Sequence, residues 1–266
     1  MKLPFLISIP HGGTELPDEL KSRVCITDND LFDDSDSFTQ EIYASADIVL
    51  SEVKFNIARA FVDASRAQDM LPPEMTDGVI KSATCYSRPI YKAELQPDAE
   101  MIKVLLEKYY IPYHASISAA LQNKKIALAM DCHSMAAVAP SVAPSVAPDQ
   151  GERPLINLGD AEGKACDPVV TKLLQDSFIE IFELKEQDVT INRPFKGGYI
   201  TRTYGNKPKP WLQIEMNRSL YLSEKWFDRE TLLIEPKRLL ELNTNFKKVL
   251  LTFYRKLKSL SLLPIE

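Results

Sequence analysis

The sequence predicts an α/β protein, and three observations carry that reading. Short apolar runs of strand length, at Phe5 to Ile9, Ile48 to Val53, Ile126 to Met130, Leu155 to Leu158, Val189 to Ile191 and Trp211 to Met216, alternate with segments of helical periodicity. Several of these runs end on polar residues capable of chemistry. The whole chain, 266 residues with 45% hydrophobic content, is long enough to bury one substantial core and is read as a single domain over 1–266.

The central run is Ile126-Ala-Leu-Ala-Met, followed at once by Asp131-Cys-His133-Ser134. Five apolar residues suit a strand covered on both faces. In extended backbone Asp131 and His133 share one side and Cys132 points to the other. The acid can therefore fix the tautomer of the imidazole or join it as a ligand. Cys132 and His133 diverge, so they make a poor nucleophile and base pair.

The first run, Phe5 to Ile9, leads into Pro10-His11-Gly12-Gly13-Thr14, where paired glycines allow a close backbone approach or a positive φ. His11 thus sits just past a strand end, as His133 does. Asp28, Asp30, Asp33, Asp34 and Asp36 make the next segment strongly acidic and are expected in a loop, and Ser37 to Ala46 has a helical pattern. In Asn56 to Arg66, Arg59 and Arg66 are candidates to clamp a substrate carboxylate, beside the bland alternative of surface ion pairs. Arg88 precedes Pro89 in a further polar segment.

Pro97-Asp98 opens a helix, and Pro112 interrupts it or begins a second one through Leu121. His114 on that second segment is expected to be a packed or hydrogen-bonded helix residue. Residues 138–154 form a Pro-rich loop containing Val-Ala-Pro-Ser repeated with period four, a rim over the site. A helix follows from Pro168 to about Leu184, and Asn192 to Arg202 combines Gly197-Gly198 with flanking arginines suited to an anion. In Trp211 to Arg218, alternation places Gln213, Glu215 and Asn217 on one face and Leu212, Ile214 and Met216 on the other. A carboxylate in such company is paired or functionally tuned. Helices from Ser223 to Asn243 and from Lys247 to Leu260 should cover the sheet.

Composition excludes several classes. Thirty-two Lys and Arg against 37 Asp and Glu give a net charge of −5 with no basic tract, so no nucleic-acid partner is expected. No apolar run reaches membrane-spanning length, and the N-terminal stretch lacks a cleavage signal, so a cytoplasmic protein is expected. Four cysteines without CxxC spacing argue against a disulfide scaffold or a four-thiolate zinc site.

His11, His133 and Glu215 all fall at or near strand ends, which parallel strands bring to one sheet edge. Two neutral imidazoles and a carboxylate suit a catalytic zinc. The residues alone leave the carboxylate open among Asp36, Asp33 and Glu15. At this point the chain resembles the N-formylglutamate amidohydrolase family, and more distantly zinc carboxypeptidases and succinylglutamate desuccinylases. The resemblance is carried, in order, by Ile9-Pro10-His11-Gly12-Gly13, the Arg66 region, Tyr110-Ile-Pro-Tyr-His114, Asp131-Cys-His133-Ser134, Gly197-Gly198-Tyr199-Ile200-Thr201-Arg202 and Gln213-Ile-Glu215-Met-Asn217-Arg218-Ser-Leu-Tyr221. It implies a three-layer mixed sheet flanked by helices, of the phosphorylase/hydrolase-like kind, and a Zn2+-dependent amidohydrolase acting on a small anionic N-acyl amino acid. It also implies His11, Asp36 and His133 as metal ligands and Glu215 as the catalytic carboxylate. Arg59, Arg66, Arg88, Arg202, Asn217 and Arg218 are the candidate substrate-binding residues. Family members often carry an aspartate and an asparagine ahead of the arginine where this chain reads Asp63-Ala-Ser-Arg66. A non-enzymatic anion-binding or structural α/β domain is the alternative.

Overall fold

Six strands form the central sheet: β1 (Leu3–Ile9), β2 (Val49–Lys54), β3 (Leu128–Met135), β4 (Ile156–Gly159), β5 (Val189–Ile191) and β6 (Trp211–Asn217). They are described in a computed structural model that covers residues 2–139, 149 and 151–263. The order across the sheet is β2-β1-β3-β6-β4-β5. Strands β2, β1, β3 and β6 run parallel, β4 is antiparallel to β6, and β5 is parallel to β4. The sheet is therefore mixed.

Chain direction across the sheet reverses beside β1. The β1 to β2 connection carries α1 (Asp28–Asp34) and α2 (Thr39–Ile42). The β2 to β3 connection returns over β1 through α3 (Ala99–Leu105), a π-helical turn at Leu106–Tyr110, and α4 (Ile111–Leu121). The crevice at such a switch point, between the C-terminal ends of β1 and β3, is where α/β sheets accommodate ligands.

Alternation sends side chains into two cores. Phe5, Ile7, Ile9, Met130, Cys132, Leu212, Ile214 and Met216 pack against α5 (Pro168–Phe182) and α7 (Pro236–Ser259) through Phe178, Phe246 and Phe253. Leu6, Ala129 and Trp211 face the other way, onto Tyr113 and Ile117 of α4. Cover on both faces explains why these strands read as continuous apolar runs. Along the second face the same period carries Ser8, Asp131, His133, Gln213 and Glu215, all buried. Apolar support thus gives way to polar chemistry toward the strand ends.

Three segments differ from the expectation. The acidic stretch from Asp28 is helical, because Thr27 caps it by accepting from Asp30 N at 3.2 Å and the acids of the first turn suit the positive end of the helix dipole. The helix expected over Ser37 to Ala46 is only the four residues of α2, preceded by Phe38 at φ 64°. Past β6, a 3-10 turn (Arg218–Leu220) and a hairpin of β7 (Phe227–Asp228) and β8 (Leu233–Ile234) precede one 24-residue helix, α7. Pro236 starts α7 where proline is tolerated, and its stripe Leu242, Phe246, Val249, Leu250, Phe253, Leu257 runs through the position where two helices were expected to join. Strand β3 itself continues through Asp131 to Met135.

Of the Pro-rich loop over 138–154, residues 140–148 and 150 lie outside the described residues. Its flanks pair, with Ala139 N donating to Gly151 O at 2.9 Å.

The glycine pair after His11 is required for close approach, since neither glycine has a positive φ. A Cβ on Gly13 would lie 2.3 Å from the carbonyl carbon and oxygen of Asn56. Backbone cannot yield as a flexible side chain can, so Gly13→Ala should cost about 3 kcal/mol. Equilibrium denaturation checks this: an unchanged midpoint would show that the turn relaxes freely.

Candidate active site

His11 leaves the end of β1, His133 projects from β3, and Asp36 comes from the turn after α1, tied back by its amide to His11 O at 3.1 Å. His133 Nδ1 is 3.1 Å from His11 Nδ1 and 3.1 Å from Asp36 Oδ2. His11 Nδ1 is 3.4 Å from the same carboxylate oxygen. All three residues are buried.

These distances have a specific meaning. Three donors held about 2.0–2.1 Å from a tetrahedral zinc ion lie about 3.4 Å from one another. The observed edges of 3.1, 3.1 and 3.4 Å fit that figure. Two imidazole nitrogens turned toward each other and toward one carboxylate oxygen, in a buried pocket, form a donor set suited to a divalent cation.

The outward nitrogens are backed by carboxylates, as ligating histidines usually are. His11 Nε2 pairs with Asp63 Oδ1 at 2.7 Å, and Asp63 is itself held by Arg59 at 2.9 Å. His133 Nε2 lies 3.2 Å from Asp131 Oδ2 but out of line, so it makes no aligned hydrogen bond. Asp131 is further approached by Ser8 Oγ at 3.4 Å and Thr201 Oγ1 at 3.3 Å. Asp36 is braced by Arg218 Nη2 at 3.1 Å.

Glu215 of β6 stands directly across from His133 of β3 in the strand register. Burial pushes its carboxyl up to about 7, the imidazole of His133 opposes that, and the acids Asp36 and Asp131 reinforce it. The Gln213 amide donates to Glu215 Oε1, and Gly198 N donates to the Gln213 oxygen. The sequence thus places the Glu215 carboxylate, the Gln213 amide and the Gly198 amide in one chain of hydrogen bonds.

His11, Asp36, His133 and Glu215 line one cavity of about 410 Å³, with Arg59, Arg66, Arg202 and Arg218 on its walls. That size suits a small-molecule substrate. Two candidates fall elsewhere. Arg88 does not line the cavity and its Nε is 3.7 Å from Asp30, while the Asn217 amide is engaged by the carbonyls of Arg153 and Pro154. Asp33 lies on the cavity wall but pairs with Arg229 at 2.8 Å, and Glu15 is exposed beside Ile57.

Three features were not anticipated. Asp63 behind His11 lies four residues after Arg59, and that spacing, suited to an ion pair, was the available signal. Lys81, wholly buried among Asp34, Asp63 and Asp77, had no sequence signal beyond its apolar neighbours Val79 and Ile80. The Tyr43 hydroxyl donates to His133 O at 2.8 Å. His114 is a satisfied helix residue, hydrogen-bonded to Tyr204 Oη at 2.9 Å and to Ala64 O at 3.0 Å. Cys132 faces the apolar core away from His133, and burial pushes its thiol well above the usual range.

Fold and site together define a three-layer α/β protein of the hydrolase kind, with buried imidazoles and carboxylates collected at the switch point of a mixed sheet. The chain belongs to the N-formylglutamate amidohydrolase family, whose model matches residues 3–222. It is 31% identical over 232 residues to the N-formylglutamate deformylase of Pseudomonas putida, covering 84% of this chain and 83% of that one. The deformylase of Pseudomonas aeruginosa is 28% identical, with 84% of each chain covered. In fold the chain is similar to the N-formylglutamate amidohydrolase from Ralstonia eutropha JMP134, with a TM-score of 0.75, 22% identity and coverage of 98% and 95%. Among the described residues no helix is long and apolar enough to cross a membrane.

Proposed function

We propose that the protein hydrolyses the amide bond of an N-acyl acidic amino acid, N-formyl-L-glutamate foremost, to formate and the free amino acid, with a zinc ion held by His11, Asp36 and His133. The observation that carries this is the convergence of the three donors at 3.1–3.4 Å with Glu215 across from His133. Support for the substrate is the activity for which the P. putida relative is named.

His11, Asp36 and His133 would hold a zinc ion whose chemistry, when bound, would be to acidify a water molecule and polarise the acyl carbonyl. Glu215 accepts the proton of the attacking water and hands it to the departing amine nitrogen as the carbon–nitrogen bond breaks. A base buried as Glu215 is, with its carboxyl raised toward neutrality, suits both halves of that exchange. Gln213 fixes one carboxylate oxygen of Glu215, leaving the other for the proton. Asp63 sets the tautomer of His11 by accepting from Nε2 and leaving Nδ1 as a lone-pair donor. Arg218 holds Asp36 in place at 3.1 Å, while the imidazoles of His11 and His133 outweigh its burial and hold its carboxyl well below the usual range.

Metal analysis joined to a formate assay tests the proposal. The purified protein should carry one zinc equivalent, exhaustive chelation should abolish formate release from N-formyl-L-glutamate, and added zinc should restore it. Undiminished turnover by the metal-free protein would overturn the metal assignment. Zinc binding without turnover of this substrate would overturn the substrate.

A further inference from the structure

Six cations line the reaction cavity: Arg59, Arg66, Arg153, Lys196, Arg202 and Arg218. An anionic substrate needs one whose donors are free. Arg59 gives Nε and Nη2 to Asp63 and Nη1 to Asp34 O, at 2.9–3.3 Å. Arg66 gives Nη2 to Asp77 at 2.6 Å, Nε to Asp77 O and Nη1 to Ser65 O. Arg218 is likewise used up by Ser134, Asp33 O and Asp36. Arg153 is clamped through two nitrogens by Asp149 at 2.8 Å and lies over the Phe195 ring, and Lys196 pairs with Glu162 at 2.6 Å.

Arg202 differs from all of these. Among the described residues its guanidinium has no hydrogen-bond or ion-pair partner, and it acts on Glu162 less strongly than Lys196 and Lys164 do. Its backbone is nevertheless firmly placed. Arg202 sits on α6 (Tyr199–Tyr204), whose preceding Gly198 N donates to Gln213 beside Glu215, and whose Thr201 Oγ1 reaches Asp131 behind His133. The backbone of Arg202 is therefore fixed beside these groups, and its exposed side chain carries an unspent fork of donors. Arg202 and Lys196 also border a second cavity, lined in addition by Glu162, Lys164 and Lys207.

We infer that Arg202 is the specificity-determining residue that takes the side-chain carboxylate of the substrate in a bidentate pair, so that acidic N-acyl amino acids are selected over their neutral amides. This rests on the proposed hydrolysis of such substrates. Guanidinium and carboxylate match in two parallel hydrogen bonds, which a carboxamide cannot reproduce because its amino group would face a donor. Lys207 lines only the second cavity and supplies general attraction without that geometry.

The test compares kcat/KM on N-formyl-L-glutamate and N-formyl-L-glutamine for the wild type, R202Q and K207Q. The wild type should prefer the glutamate compound. R202Q should lose about 30-fold or more on it, chiefly through KM, while its rate constant on the glutamine compound changes by less than about 3-fold. K207Q should retain the wild-type preference. Equal losses on both substrates in R202Q, or an unchanged preference, would overturn the inference while leaving the hydrolase reading intact. The same loss of preference in K207Q would also overturn it, in favour of diffuse attraction. A wild type that cleaves neither compound would overturn the proposed function and this inference together.

Discussion

Glu215→Gln should retain zinc at the wild-type level and lose roughly 10³-fold in kcat, because the proposed donors His11, Asp36 and His133 stay while the proposed proton acceptor disappears. The carboxamide fills the same volume next to Gln213, so the fold should persist. The wild type should show an acid limb in its kcat/KM profile set by ionisation of this group. Burial raises that carboxyl toward 7, and a bound cation nearby moves the limb back toward acid. In Glu215→Gln the residual rate should lack this limb. A variant that keeps its turnover, or one that loses its zinc, would show that Glu215 is not the base. Element analysis and steady-state rates across pH distinguish these outcomes.

The second large effect concerns stability. Lys81 Nζ is wholly buried, 2.9 Å from Asp77, 3.2 Å from Asp34 and 3.6 Å from Asp63. Burial works against its charge, as does neighbouring Arg59, yet the three carboxylates outweigh both and hold the ammonium protonated. Lys81→Met removes one positive charge from among those acids, a change that typically costs about 3–5 kcal/mol. The acids themselves are held below the usual carboxylate value of 3.8 in the folded protein. A depressed carboxylate contributes stability above its unfolded pKa and loses it as the pH falls through the folded one. The gap between wild type and Lys81→Met should therefore be full at pH 7 and narrow below about pH 4. Urea midpoints at the two pH values check this, and a gap independent of pH would assign the loss to packing alone.

Much of the sheet was legible because its cause is local. Strands covered on both faces must be apolar, and an apolar run that turns polar near its end announces what it delivers, as Ile126 to Ser134 and Trp211 to Asn217 do. His11, His133 and Glu215 were readable for the same reason. Asp36 was not separable from Asp33 and Glu15 by local pattern, since which carboxylate folds back over β1 is decided by how the turn after α1 docks. The arginines show the limit most sharply. Five looked equivalent, and their partners lie up to 185 residues away, as with Arg218 and the Asp33 carbonyl. Whether a guanidinium is free or engaged is a property of packing, invisible to spacing. The C-terminal hairpin escaped for a related reason, because its two-residue strands are too short to show a period.

His11 and His133 touch although 122 residues separate them, and they belong to adjacent strands of the sheet. A growing chain that has exposed only its first hundred residues therefore possesses no pocket for the ion. On the proposed metal assignment, loading waits until β3 has joined β1, which would couple acquisition of the ion to completion of the sheet's centre. If that ion binds the folded state alone, the protein should resist unfolding in proportion to the logarithm of the zinc concentration.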